Sequence, residues 1–104
     1  MESSDNDHAN THAKTILRPI VGLTRGLPKS VLELLVVEAI RKHRYLRDLA
    51  EMRETESRQP EGSEPIVGPA GTAYVRAMID LHAHQTVLST LLDVLGYIPD
   101  VPTD

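Results

Sequence analysis

Histidines are the residues of this sequence best able to do chemistry, and two of them, His82 and His84, stand close enough to suggest a metal pair. On a helix of 3.6 residues per turn, positions two apart lie about 200° from each other, so these imidazoles cannot close on one ion. His43 stands alone, and His8 and His12 fall in a polar N-terminal stretch, so neither a metal nor any other cofactor is expected. The absence of cysteine removes disulfides, Cys-containing zinc sites and thiol nucleophiles. No G-x-S-x-G, phosphate-cradling loop or carboxylate pair in an evident pocket is present. Gly22 and Gly26 in VGLTRGLP are too few and wrongly spaced for a phosphate loop and read as tight turns. The expectation is a protein that is not an enzyme.

A second cluster, Arg41, Lys42, His43, Arg44 and Arg47, invites a nucleic-acid reading. Glu38 with Lys42 and Arg44 with Asp48 have the i, i+4 spacing of a solvated, self-paired helix face. The formal net charge is −4, and the sequence has no helix-turn-helix or basic-arm pattern. Direct binding to nucleic acid is therefore disfavoured. An acidic surface favours a basic partner instead.

The elements that carry these residues are built from aliphatics: Phe and Trp are absent, and Tyr45, Tyr74 and Tyr97 supply the only rings. That palette suits packed helices, and 104 residues hold a single domain. Residues 1–14 bury almost nothing and are expected to be a disordered tail, leaving 15–104 as one helical-hairpin domain. The N-terminus lacks the apolar core of a signal peptide and no stretch is apolar enough to span a bilayer, so a cytoplasmic protein without membrane contact is expected.

From Ile16 to Pro28 the sequence ILRPIVGLTRGLP alternates apolar residues with Gly and Pro, which predicts a turn-rich strap. Ser30 and Glu33 have capping-box spacing, so a first long helix should begin at Val31 and run to about Arg58. RQPEGSEPIVGP forms a connector, and a second helix should start near Pro69 or Ala70 and end at Gly96, with Pro99 preventing continuation. The predicted fold class is all-α, with two long antiparallel helices over about 31–58 and 70–95.

Along the second helix Tyr74, Met78, Leu81, Gln85, Leu88, Leu92 and Leu95 alternate spacings of four and three, a seam for another helix. In the first helix VLELLVVEAI is apolar nearly all round, with Leu32, Leu35, Val36 and Ile40 among its core candidates. Two helices cannot cover each other that completely, which predicts a homodimer closing into a four-helix bundle. Gln85, the polar residue of the seam, either reaches water or fixes register across the bundle.

The strings LRPIVGLTRGLP at 17–28, AIRKHR at 39–44, and the run from Tyr74 through His82 and Ala83 to LGYIP at 95–99 resemble the TraM family. These are quorum-sensing antiactivators of conjugative plasmids in rhizobia and agrobacteria, and the resemblance covers roughly three quarters of the chain. It implies a helical dimer that binds TraR, a LuxR-type transcription activator responding to an acyl-homoserine lactone, stops it from binding DNA, and so represses conjugal transfer genes. On that footing Glu51, Glu54, Glu56 and Asp80 are candidates to face the activator's basic DNA-binding domain. Arg41, Arg44 and Arg47 would meet acidic patches or solvate the helix. Leu17, Arg18, Pro19 and Leu23 with Tyr97, Ile98 and Pro99 would form a recognition edge or close the apolar end of the bundle. A generic dimerisation or adaptor module is the competing reading.

Overall fold

The computed structural model describes residues 16–58 and 68–103, and all regular structure among them is helical. Helix α1 spans Arg18–Thr24, α2 spans Lys29–Ser57 and α3 spans Pro69–Leu95. The expected tail at 1–14 and most of the expected connector lie outside the described residues. Helices α2 and α3 pack antiparallel as the main layer, and α1 lies against α3.

The strap expectation is corrected: its first half is the helix α1. Pro19 sits in the first turn, where a missing N–H costs nothing and its fixed φ favours helix. Gly22 inside the helix is unfavourable by about 1 kcal/mol relative to Ala. Tertiary contacts offset it, because Ile20 packs on the core, Thr24 is buried, and the Leu17 N–H donates to Thr90 Oγ1 at 3.1 Å. These contacts are long-range, so local Gly and Pro propensity carries no trace of them.

The capping box at Ser30 is also corrected. Helix α2 begins at Lys29 with Pro28 as its cap residue, and the Pro28 carbonyl accepts from the Val31 and Leu32 N–H groups at 3.0 Å. Proline's fixed φ sets the entry into the helix, so Ser30 already lies inside the first turn and makes no cap bond. Helix α3 follows expectation: Pro69 opens it, and Gly96 ends it with φ 93°, donating its N–H to the Leu92 carbonyl at 2.8 Å.

Leu32, Val36, Ala39 and Leu91 form the buried centre, flanked by Ile20, Ile40, Val87, Leu88, Leu92, Val94 and Leu95. Towards the connector the buried positions become small, with Ala50, Gly71 and Ala77 beside Leu46. Small side chains there let the helix backbones approach closely. The core is thin: among the described residues, Val36 and Thr90 are the large side chains that lose essentially all contact with solvent. After Gly96 the chain turns back over α2 as an arm, burying Pro99 and Val101.

Candidate partner-binding surfaces

Buried Ala77 and Leu91 and, on the same line of α3, half-buried His84, which lies at the Ala39 carbonyl of α2, each stand one residue before Met78, Leu92 and Gln85 of the heptad stripe. One residue is about 100° of rotation, so the stripe is turned towards a flank of the hairpin. Tyr74, Met78, Leu81, Leu88, Leu92 and Leu95 are accordingly half-buried, and Gln85 is exposed. The opposite flank of α3, about 140° round from Gln85, carries Thr90 and receives α1.

On the stripe's flank three hollows run into one another along α3. Tyr74, Met78, Ile79 and His82 line the first; His82, Gln85 and Ser89 line the second. Gln85, Leu88, Ser89, Leu92 and Gly96 line the third together with the ionisable His43 and Asp93; it has a volume of about 460 Å³ and is walled on its far side by Tyr97 and Ile98 of the arm. The result is a groove along α3 from Tyr74 to Gly96, apolar at its two ends and polar in the middle.

Arg44 fixes the arm. Its guanidinium donates to the Val101 carbonyl at 2.8 Å and to the Pro102 carbonyl at 2.9 Å. The expected Arg44–Asp48 ion pair is therefore corrected: the fork of donors finds two free carbonyls, and Asp48 lies 3.6 Å from Arg47 instead. At the arm's start Lys29 Nζ stands 5.0 Å over the Tyr97 ring. Partial desolvation, then a hydrogen bond to Glu33 and its charge, hold the Tyr97 phenol above its ordinary pKa. Glu33, read from the sequence as a capping residue, serves the arm.

The acidic candidates divide. Glu54 pairs with Arg58 at 2.7 Å and Glu56 with Arg53 at 2.8 Å, so their charges are locally matched. Glu51 and Asp80 are exposed, Asp80 beside Lys42 at a shallow hollow next to Val87. Arg41 and Arg47 are exposed on α2, whereas Arg44 is occupied by the arm. Of the terminal candidates, Pro99 is buried and Leu17 half-buried, Arg18 and Pro19 are exposed, and Leu23 and Ile98 stand out at 76% and 75% exposure. The outer face of α2 adds Leu34, Tyr45 and Met52, all more than half exposed; Leu34, one of the residues that make VLELLVVEAI apolar nearly all round, is uncovered in this chain.

His43 and His84 meet between the long helices, their rings stacked at 6.4 Å, and His84 Nε2 lies 2.9 Å from the Ala39 carbonyl. His43 Nδ1 is buried without a partner. Desolvation, then the charge of His84 and of Arg47, push the His43 pKa below 6.5. Among the described residues no group of three or more His, Cys, Asp or Glu is placed to hold a metal ion, and no helix is long and apolar enough to cross a membrane.

A thin hairpin with an open groove and an exposed apolar helix face defines a small all-α protein with apolar surface left for contact with another macromolecule. The chain belongs to the TraM family: the family described as prokaryotic transcriptional repressor TraM matches residues 1–100. It is 42% identical over 101 residues, 96% of each chain, to the transcriptional repressor TraM of Agrobacterium fabrum strain C58. It is 40% identical to that of Rhizobium radiobacter, across 91% of this chain and 94% of the other. The fold is similar to the crystal structure of a second quorum sensing antiactivator, TraM2, from A. tumefaciens strain A6, with a TM-score of 0.73 and 35% identity over 85% of this chain and all of that one. Membership makes the chain a quorum-sensing transcriptional regulator and not an enzyme.

Proposed function

We propose that this chain is an antiactivator that binds a LuxR-type, lactone-responsive activator of the TraR kind and prevents its binding to DNA, so repressing conjugal transfer genes. It works in the cytoplasm, as a homodimer. The observation that carries this reading is the family membership over nearly the whole chain, joined to relatives named as repressors and an antiactivator. The homodimer reading is supported by the thinness of the core and by apolar surface left uncovered on two sides of the hairpin.

Inhibition requires the antiactivator to bind the DNA-incompetent form of the activator more tightly than the DNA-competent one. A net charge of −4 favours the basic DNA-binding domain as the docking target. Glu51 and Asp80, exposed and outside the local ion pairs of α2, are the carboxylates best placed for it. Leu34, Tyr45 and Met52 supply apolar contact on the outer face of α2.

The test is a gel-shift assay with a LuxR-type activator, its lactone and its operator. Added protein should abolish the shifted band. No effect would favour a dimerisation module without a transcriptional role, and a shift of DNA alone would favour a nucleic-acid binder.

A further inference from the structure

We infer that the hollow between the middle of α2 and the C-terminal arm is an anion site for a phosphate-bearing small molecule, with Arg41 and Arg47 as its two open guanidinium clamps.

The residue that fastens the arm also builds the site. Arg41, Arg44 and Arg47 stand three apart, which spreads them over about 120° of the circumference of α2 with Arg44 in the middle. Arg44 commits its donors to the Val101 and Pro102 carbonyls and so draws the arm over that centre line. Arg41 and Arg47 are left on either side of it, about 9 Å apart along the helix axis. With Tyr45, Asp48 and Thr103 of the arm, the three arginines line a hollow of about 300 Å³.

The charge there is not matched within the chain. The i, i+4 partners that would make this run a self-paired face do not form: Arg44 turns to the arm, and among the described residues Glu38 and Lys42 make no ion pair. Among those residues Arg41 has no hydrogen bond or ion pair, and the ion pair of Arg47 is with the adjacent Asp48 at 3.6 Å. Glu38 and Glu51, the next carboxylates along α2, do not line the hollow. Three guanidinium groups therefore face one carboxylate, a positive hollow on a chain of net charge −4. Clustered like charges repel, and a multiply charged anion turns that repulsion into attraction.

The geometry selects phosphate over carboxylate. One guanidinium fork saturates a planar carboxylate with two parallel bonds. A phosphate carries three acceptor oxygens and a charge of about −1.5 to −2, enough for two guanidinium groups arriving from different sides. Two linked phosphates match the separation of Arg41 and Arg47 better than one. Tyr45 and Thr103 bring hydroxyl groups to the lining. The Tyr45 ring, 62% exposed, adds a flat face on which a nucleobase can stack, so the diphosphate is either inorganic or part of a nucleotide. The site does not depend on the identity of the protein partner.

Titration of the isotope-labelled full chain with inorganic pyrophosphate, free of divalent metal, tests this by nuclear magnetic resonance. Signals of residues 41–48 and of Thr103 should shift saturably in the millimolar range or below, and the affinity should fall as salt is added. Arg41→Gln with Arg47→Gln, both exposed, should weaken binding about ten-fold or more, while Arg76→Gln on α3 should leave it unchanged. Arg41→Lys and Arg47→Lys singly, which keep the charge but lose the fork, should each bind more weakly than the parent and carry the test if the double variant unfolds. Adenosine diphosphate separates the two sources. Tighter binding that Tyr45→Ala reduces to the pyrophosphate level marks a nucleotide, and equal or weaker binding marks inorganic phosphate. Absence of saturable shifts, or shifts indifferent to the arginine substitutions, overturns the inference. Citrate binding at least as tightly as pyrophosphate overturns it in favour of a carboxylate site, and a short DNA duplex displacing pyrophosphate from the same arginines overturns it in favour of a nucleic-acid face.

Discussion

The Arg44 guanidinium holds the Val101 carbonyl at 2.8 Å, joining two residues 57 positions apart and fastening the C-terminal arm across α2. The second branch of the fork takes the Pro102 carbonyl, so one side chain satisfies two backbone acceptors beyond the last helix. Val101 is buried beneath this clamp, and Tyr97 and Ile98 wall the α3 groove because the arm is held there.

Arg44→Ala should therefore release the arm. The loss of two charge-assisted hydrogen bonds at a partly exposed site predicts a destabilisation of about 1–2 kcal/mol. Amide hydrogen exchange at residues 97–103 should accelerate, and Arg44→Lys, whose single ammonium cannot match the fork, should recover only part of the protection. Exchange as slow in the alanine variant as in the parent chain would remove the clamp from the account.

This clamp also marks the limit of what the residues reveal before folding. Both long helices, the closing role of Gly96 and the opening role of Pro69 follow from periodicity and local turn chemistry, which act over a few residues. Arg44 reads as one member of a basic run because its carbonyl partners are distant in sequence and carry no side-chain signature. The same holds for Thr90, whose hydroxyl bonds both its own helix at Thr86 and the Leu17 N–H 73 positions away. The heptad stripe was legible as a helix seam, but its angular offset from Ala77, His84 and Leu91 was not, since adjacent helical lines differ by a single residue of register.

Thr90→Val keeps the shape of a fully buried side chain but removes the acceptor for Leu17. An N–H left without a partner at a part-buried site costs about 1–3 kcal/mol, and α1 should loosen from α3. Thr90→Ser retains the hydroxyl and should keep α1 docked despite the lost methyl. Urea unfolding midpoints of the three proteins decide this, and equal midpoints for the valine variant and the parent would reject the role given to the bond.

Acidification should weaken the hairpin through His43. Its folded-state pKa is lowered, by desolvation first and then by His84 and Arg47, so the folded chain holds it neutral while the unfolded chain takes up a proton near 6.5. Stability is therefore complete above about pH 6.5 and is lost as the pH falls below that value. The urea midpoint should drop between pH 7.5 and pH 5, and His43→Leu should flatten that part of the profile. A slope unchanged by the substitution would assign the dependence to other groups.

Charge reversal separates the acidic residues. Glu51→Lys with Asp80→Lys should slow association with the activator on the order of ten-fold at low salt and reduce its salt dependence. Glu54→Lys and Glu56→Lys should act more weakly on association, since those carboxylates are already matched by Arg58 and Arg53 in this chain. Association rates by surface plasmon resonance across a salt series test the division; the reverse ranking would move the docking site to the end of α2.

Leu34 and Val36 lie two residues apart on α2 and should respond oppositely to truncation. Val36 is 0% exposed at the centre of the core, so Val36→Ala leaves a cavity and should cost about 2–3 kcal/mol of stability, with little direct effect on partner affinity. Leu34 is 56% exposed, so Leu34→Ala should change stability by less than about 0.5 kcal/mol. If the outer face of α2 contacts the activator, the same variant should weaken the complex by about 1–2 kcal/mol, because the leucine is buried only when the partner arrives. Measuring both quantities on both variants separates folding from recognition: a Leu34→Ala protein that is stable and binds unimpaired removes this face from the inhibitory surface and leaves Glu51 and Asp80 to define it.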